Sequence, residues 1–537
     1  MRRFGPLSAL SALALAVVLI YGAKLEHTPP DLHRDEVAFA LQAQSIASTG
    51  HDTEGRRFPL YFHIPAFGDD VWFCPMLVYV TAATLKVLPL SETTVRLPSV
   101  CLGALNVVLI FFLARAMFQS DRWAWCAAAL LAMTPAHVIH SRLAFDFLYP
   151  VPFVLTWLIG LVHYLRTPRP WLLFVATSCL GIGVYSYIAS VIMMPIYLAL
   201  TVACLTMSGR TWRPCATALA GFVWPLLPLI PWLLLHPAVL PDTLGRYGIG
   251  GSTSGAAPLT HLSAFAALHA VASSLQPSRI AARLSLYWTF FDPSYLFLYG
   301  GYTRLTNTTR HVGLFLWPFI VLVPLGILQF LTDRRSPTAI VVLLGFALAP
   351  VAACLAARDP YASDRELAVL PFGVLIATFG IQRLLTVRGR WERRGAVALL
   401  AMVPLHFAFF EVDYFIDYHR RAPFWFEWNH RGGIEQILAL EAHESRPIFL
   451  SNDRDPVMES YWQFAALKHR RMDLLRSPRY VDGQHADVAT MPVGSLILTT
   501  RNDGPLLAAA ASGTLKRLAD IPEPGDVPYF ILLERVR

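Results

Sequence analysis

The sequence predicts a polytopic α-helical membrane protein of about eleven transmembrane helices, followed by a soluble α/β domain. Three observations carry that prediction. Of 537 residues, 55% are hydrophobic and only 15% charged, against roughly 25% charged in an ordinary soluble domain, and mean hydropathy is +0.48. Apolar runs of span length recur as far as residue 412. Basic residues collect in alternate loops. Together these exclude a soluble globular protein, a disordered chain and a single-span receptor, since one span could not move the average over this length. Eleven helices of about 20 residues would take roughly 220 residues, leaving chain for large loops and a separate domain.

The first apolar run, Leu7 to Ile20, follows Arg2 and Arg3. No small-x-small cleavage site follows it, so it reads as an uncleaved span with a cytoplasmic N-terminus rather than a signal peptide. Further spans are expected at 97–116, 123–140, 147–165, 171–188, 190–207, 215–235, 312–331, 338–356, 366–385 and 395–412. The apolar stretch Met76 to Leu90 is short and carries Lys86, so it is expected as an outer, interfacial segment.

The charges support this count. The inside loops then hold Arg115 and Arg122, Arg166 and Arg169, Arg210 and Arg213, Arg334 and Arg335, and finally Arg388, Arg390, Arg393 and Arg394. Each is short and basic, as cytoplasmic loops are. Loops 25–92 and 236–311, the turn near Arg142 and the segment 357–365 fall outside. The net charge of +8 therefore reads as membrane orientation, and no nucleic-acid partner is expected. Of seven cysteines, only Cys74 lies in a polar loop, and no CxxC or loop pair is present.

Residues 1–412 are thus expected to form the polytopic transmembrane domain, and 413–537 an extracytoplasmic α/β domain. Strands are predicted at Arg446–Asn452, Gly494–Thr500 and Tyr529–Glu534, with helices at Gly433–Ala442 and Glu459–Leu467. There is no internal repeat.

Chemistry-bearing residues cluster in the outer loops. Asp35 and Glu36 follow the first span by about ten residues and open a helical pattern to Thr49, with Gly50 as C-cap. Asp35 shares a face with Phe39, Gln42 and Ile46. The pair also reads as plain helix N-terminal charge. Arg142 and Asp146 are four apart at a tight outer turn, either a structural ion pair or part of the same cavity. Arg365, in YASDRE at the outer end of a span, suits a phosphate oxygen through its bidentate fork, or it pairs with Asp364 or Glu366. The loop 236–311 offers Arg246, Tyr247, Arg279, Arg283 and an aromatic run, Leu286 to Tyr302. That run would cover a lipid-linked ligand or form an interfacial belt. No P-loop, GxGxxG, HExxH or GxSxG is present. His33, His51 and His63 share a loop but read as solvated, so a divalent metal is possible but not indicated. Asn307-Thr308-Thr309 fits a glycosylation sequon.

Five stretches resemble the GT-C membrane glycosyltransferases, especially bacterial relatives of the protein O-mannosyltransferases and the lipid A aminoarabinose transferase. They are DEVAFALQAQSIASTGHDTEG from Asp35, PMLVYVTAATLKVLPLSETTVRLPSV from Pro75, TPAHVIHSRLAFD ending at Asp146, FDPSYLFLYGG from Phe291, and SDRELAVLP through Arg365. They span most of residues 1–412. The Asp-Glu pair after span one, followed by Arg96-Leu97-Pro98-Ser99, is the most specific element.

The resemblance implies a polyprenyl-phosphate-linked sugar as donor and inverting transfer to an extracytoplasmic protein, glycan or lipid. It implies Asp35 as general base, with Glu36 and Asp146 as further acidic residues of the site. Arg142, Arg365, Arg96 and Tyr61 would contact substrate. Such chemistry needs a base, cations for the developing phosphate charge and access from the lipid of the cell membrane. Where the aminoarabinose transferase has an acidic-Lys-Pro triplet, this chain has Phe73-Cys74-Pro75, which argues against that particular sugar unless Asp69 or Asp70 substitutes. Two other readings stay open: a polytopic transporter or lipid flippase without covalent chemistry, and a receptor or assembly protein working through its tail.

Overall fold

The computed structural model describes residues 6–66, 69–209, 212–239, 242–243, 277–301, 304–332, 337–356, 360–387, 389–441, 445–452, 457–525 and 527–537. Each of the eleven apolar runs is helical over most of its length, and the chain is a multi-pass membrane protein. Among the described residues five helices are both long and apolar enough to cross a membrane: Glu92–Phe118, Asp146–Arg166, Ser190–Met207, Pro337–Leu355 and Arg390–Arg421. The other runs are shorter or broken, and proline explains several breaks. Pro135 divides the third run into Asp121–Ala132 and Pro135–Ser141. Pro225 and Pro228 mark the 41° bend between Trp212–Leu226 and Leu229–Leu235. The eighth run starts late, at Phe319, because the preceding backbone is tied elsewhere: Phe315 N–H donates to Leu296 O at 2.9 Å and Ala136 N–H to Leu314 O at 3.3 Å.

The helices pack through small residues, as bilayer helices do. Phe319–Thr332 and Val369–Leu384 meet so closely that a Cβ on Gly326 would lie 1.9 Å from Ile376 O, and one on Gly380 2.0 Å from Leu322 O. The segment from Met76 forms a helix, Pro75–Leu85, with Leu77, Val78, Thr81 and Ala82 buried and Val80 exposed. A hairpin, β1 (Phe62–Ala66) and β2 (Asp69–Phe73), precedes it and was not visible in the sequence pattern.

The C-terminal segment carries a five-stranded sheet: β3 (Ile448–Ser451), β4 (Arg479–Val481), β5 (Leu496–Thr500), β6 (Leu515–Asp520) and β7 (Phe530–Arg535), in the order β4-β3-β5-β7-β6. β4, β3 and β5 run parallel, while β7 and β6 are antiparallel additions. The three predicted strands are present. The two missed ones, β4 and β6, are partly exposed edges with no clean apolar alternation. Helices His430–Glu441 and Val457–Lys468 cover one sheet face, and Gly504–Ala511 covers the other.

The first of these apolar layers is shared. Leu32, Val37 and Ala40 pack in the same cluster as Ile434, Tyr461 and Trp462. Tyr461 hydroxyl donates to Leu32 O at 2.6 Å, and Lys468 Nζ reaches Glu92 at 2.9 Å.

Candidate active site

The first helix, α1 (Pro6–Gly22), ends in a tight loop that leads to α2 (Arg34–Thr49). Two fully buried arginines hold this loop. Arg96 donates from Nε and one terminal nitrogen to both oxygens of Glu36, at 2.9 and 2.8 Å. Its remaining donors go to Leu25 O, Pro29 O and Asp31 O at 2.9, 3.1 and 2.6 Å. All five N–H groups of the guanidinium have partners. Arg142 ties the carbonyls of Tyr21, Ala23 and Thr28, the latter two at 2.7 Å, and lies over the Phe415 ring at 4.8 Å. It does not pair with Asp146 in the manner of a helical i,i+4 bridge.

These contacts bear on three site expectations. Glu36 is wholly buried: it takes the Ala144 N–H at 2.8 Å and closes the α2 capping box through His33 N–H at 2.9 Å. Glu36 and Arg96 are saturated inside the protein and have no hydrogen-bonding capacity left for a substrate; Arg142 spends its terminal nitrogens on backbone carbonyls, while its buried Nε has no partner. They position α2.

Asp35 differs. As the second residue of α2 its carboxylate is 36% exposed, with His33 Nδ1 3.7 Å away. Asp146 sits on a 3-10 turn, Asp146–Leu148, which packs against the turn Ser363–Arg365. The charges acting on Asp146 are those of Asp35, Asp364 and Arg365, and Arg365 Nε is 3.8 Å from Asp364. Three of the sequence-predicted residues, Asp35, Asp146 and Arg365, are therefore brought together. Tyr61 is buried in a separate small cluster with Trp72 and Cys74, with its phenol pushed far above the usual range by burial.

Asp35 also lines a cavity of about 630 Å³ between the helical part and the sheet. The far wall comes from the turn 424–428, from Ser451 and Asn452 at the end of β3, and from Thr500, Arg501 and Asn502 at the end of β5. The chain leaves β3 for one sheet face and β5 for the other, so this is the switch point where open α/β sheets bind ligands. Trp428 and Tyr529 stack at 4.7 Å, with Arg501 over both rings at 5.2 and 5.5 Å. Glu427 and Trp428 both adopt left-handed backbone, φ 60° and 63°, at about 1–2 kcal/mol each. The Arg34–Glu427 ion pair, the Trp428 N–H to Pro423 O bond and the Asn429 N–H to Glu523 bond hold that turn.

Sequence reasoning missed this wall. Its signals were the aromatic run PFWFEWN at 423–429 and the position just past two predicted strands. Of the 236–311 residues, Arg246 and Tyr247 lie outside the described residues, as does the Arg279 side chain. Arg283 donates to Cys354 O at 2.7 Å. The aromatic run is split: Phe290, Tyr295, Leu296 and Phe297 are buried, Trp288 is exposed, and Tyr295 donates to Glu366 at 2.5 Å. Asn307 is buried, so the sequon is not presented. The side chains of Asp69 and Asp70 are likewise outside the described residues. Among the described residues, His311, Asp413 and Asp417 have the spacing to hold a cation. Arg421 already pairs with both carboxylates, at 3.1 and 2.5 Å.

Residues 73–234 match the family model described as dolichyl-phosphate-mannose-protein mannosyltransferase. No curated protein sequence matches the chain. Among solved structures, ArnT from Cupriavidus metallidurans bound to undecaprenyl phosphate is similar over 98% of this chain and 97% of that one, at 12% identity and a TM-score of 0.57. The Archaeoglobus fulgidus oligosaccharyltransferase in its apo form is similar over 93% of this chain and 70% of that one, at 14% identity and a TM-score of 0.53. The fold is that of the GT-C membrane glycosyltransferases. Within that class, the chain is similar to ArnT in fold and, over residues 73–234, to the protein mannosyltransferase family model.

Proposed function

We propose that this protein transfers a sugar from a polyprenyl-phosphate-linked donor to an acceptor on the extracytoplasmic side of the cell membrane, with inversion. The observation that carries this reading is the position of Asp35. It lies between the Asp146–Arg365 group on one side and an open cavity on the other. The undecaprenyl phosphate bound to the similar ArnT supports a lipid-linked donor.

In this mechanism the Asp35 carboxylate takes the proton from an acceptor hydroxyl. The oxygen attacks the anomeric carbon, and the bond from that carbon to the phosphate oxygen breaks on the opposite face. Polyprenyl phosphate leaves with the electron pair, and Arg365 stabilises the growing charge. Asp146 orients the donor sugar. Residues 1–412 hold the reaction centre, and 413–537 form the domain that closes it. A labelled polyprenyl-phosphate sugar incubated with membranes tests the reading: label should appear in an acceptor with wild-type protein. Full activity in Asp35→Asn would remove the base assignment.

A further inference from the structure

We propose that the crevice at the carboxyl ends of β3 and β5 binds the saccharide portion of a glycan acceptor. This rests on the glycosyl-transfer reading above and names its acceptor class.

The crevice has unmet hydrogen-bonding capacity. Ser451 is 2% exposed and its Oγ has no hydrogen-bond partner; the neighbouring Asn452 Oδ1 is buried and equally without one. Buried polar atoms are nearly always paired. Two adjacent exceptions at the wall of a 630 Å³ cavity point to a ligand that completes them. The atoms select its chemistry. An amide oxygen only accepts, so its partner must donate, and a phosphate or carboxylate anion cannot. Hydroxyls donate to Asn452 Oδ1 and exchange either role with Ser451 Oγ.

The same wall is aromatic. Phe424 is 59% exposed and meets Trp428 edge to face at 5.8 Å. Trp428 in turn stacks on Tyr529, whose hydroxyl accepts from Asn502 Nδ2 at 3.4 Å. Ring faces carry negative potential and attract polarised C–H groups. A pyranose presents C–H faces ringed by hydroxyls, and so matches both halves of this lining. A peptide that binds by adding a strand needs a free sheet edge. Here β3 and β5 are each paired on both sides, so no backbone ladder is open to it. A sugar seated here would extend a hydroxyl along the cavity toward Asp35, which lines the same space.

The test uses the full chain in lipid nanodiscs, with saturation-transfer NMR against mannotriose, maltotriose and chitotriose, and an uncharged Gly-Ser hexapeptide as comparison. At least one trisaccharide should bind saturably and the peptide should not. Ser451→Ala and Asn452→Ala should each weaken that binding about five- to tenfold. Ser451→Ala should keep or raise the melting temperature, because it deletes an unpaired buried hydroxyl. Asp35→Asn should keep saccharide affinity while losing transfer. Binding of the peptide alone, or variants that bind the sugar as wild type does, would overturn the subsite. Saccharide binding by a protein that transfers no sugar from any polyprenyl-phosphate donor would uphold the subsite and overturn the transfer reading instead.

Discussion

The two walls around Asp35 are built on opposite principles. On the membrane side, Arg96 has every donor engaged and Arg142 grips three carbonyls of the loop before α2. On the sheet side, Ser451 Oγ and Asn452 Oδ1 are left without partners. A saturated polar network is scaffold, since leaving one buried member unpaired is costly. An unsaturated one is a place for something else to bind. The comparison separates charged groups whose partners are already inside the protein, as for Glu36 and Arg96, from the unpartnered polar atoms on which the proposed saccharide subsite rests.

The adjacent carboxylates give the sharpest way to break this comparison. Asp35→Asn should lower transfer by about 10²- to 10⁴-fold and leave the melting temperature unchanged. Glu36→Gln should do the reverse. It breaks a buried bidentate pair worth about 3–5 kcal/mol on loss of one partner, so yield and melting temperature fall while the folded fraction keeps its specific activity. Thermal unfolding and transfer assays on both variants decide between these outcomes, and an exchange of phenotypes would invert the assignment of the two walls.

A smaller effect separates the arginines. Arg365→Lys keeps a charge but loses the fork, which is not a conservative change at a bidentate site. We expect the KM for the donor to rise about tenfold with the melting temperature unmoved. Arg142→Lys should leave that KM alone and lower the melting temperature, because one ammonium cannot span the carbonyls of Tyr21, Ala23 and Thr28. A raised donor KM in Arg142→Lys would return Arg142 to the substrate-binding set.

The sequence made α2 and its Gly50 C-cap legible, because capping and apolar spacing are local signals. It also made the apolar runs and the three inner strands of the tail legible. It placed Asp35, Asp146 and Arg365 as candidates, and the structure gathers them. What it could not separate was Asp35 from Glu36, or Arg365 from Arg96 and Arg142. Adjacent helix residues point in different directions, and which one is enclosed depends on Leu25, Pro29 and Ala144 arriving from elsewhere in the chain. The aromatic wall was invisible for the same reason: Trp428 and Tyr529 are about a hundred residues apart and meet only across the sheet edge.

The smallest expected effect concerns the seam beneath that wall. Burial raises Asp31 to about 6, against the lowering influence of Arg431 and two backbone N–H groups, with Glu92 raising it further. Burial likewise raises Glu523 to about 7; the Asn429 N–H and Arg501 oppose this, and Asp31 adds to it. Both folded values exceed the unfolded ones, so the folded protein holds more protons between them. The stability tied to these groups is complete below their unfolded values and is lost as pH rises through about 6 to 7. His430 works in the other direction. Burial lowers it to about 3, so its contribution is present above the ordinary histidine value and falls away as pH drops below about 6.5. Two carboxyl contributions that grow on acidification outweigh the one histidine contribution that shrinks, so protection of the 413–537 segment from limited proteolysis should grow from pH 8 down to about 4 and decline below that. Asp31→Asn with Glu523→Gln should abolish the growth on acidification and leave only the decline below about pH 6.5 that His430 sets. Because Glu523 holds the Asn429 N–H beside the strained Trp428 turn at 2.8 Å, the same growth on acidification should appear in saccharide affinity. Growth that survives the double substitution would place the titrating groups away from this seam.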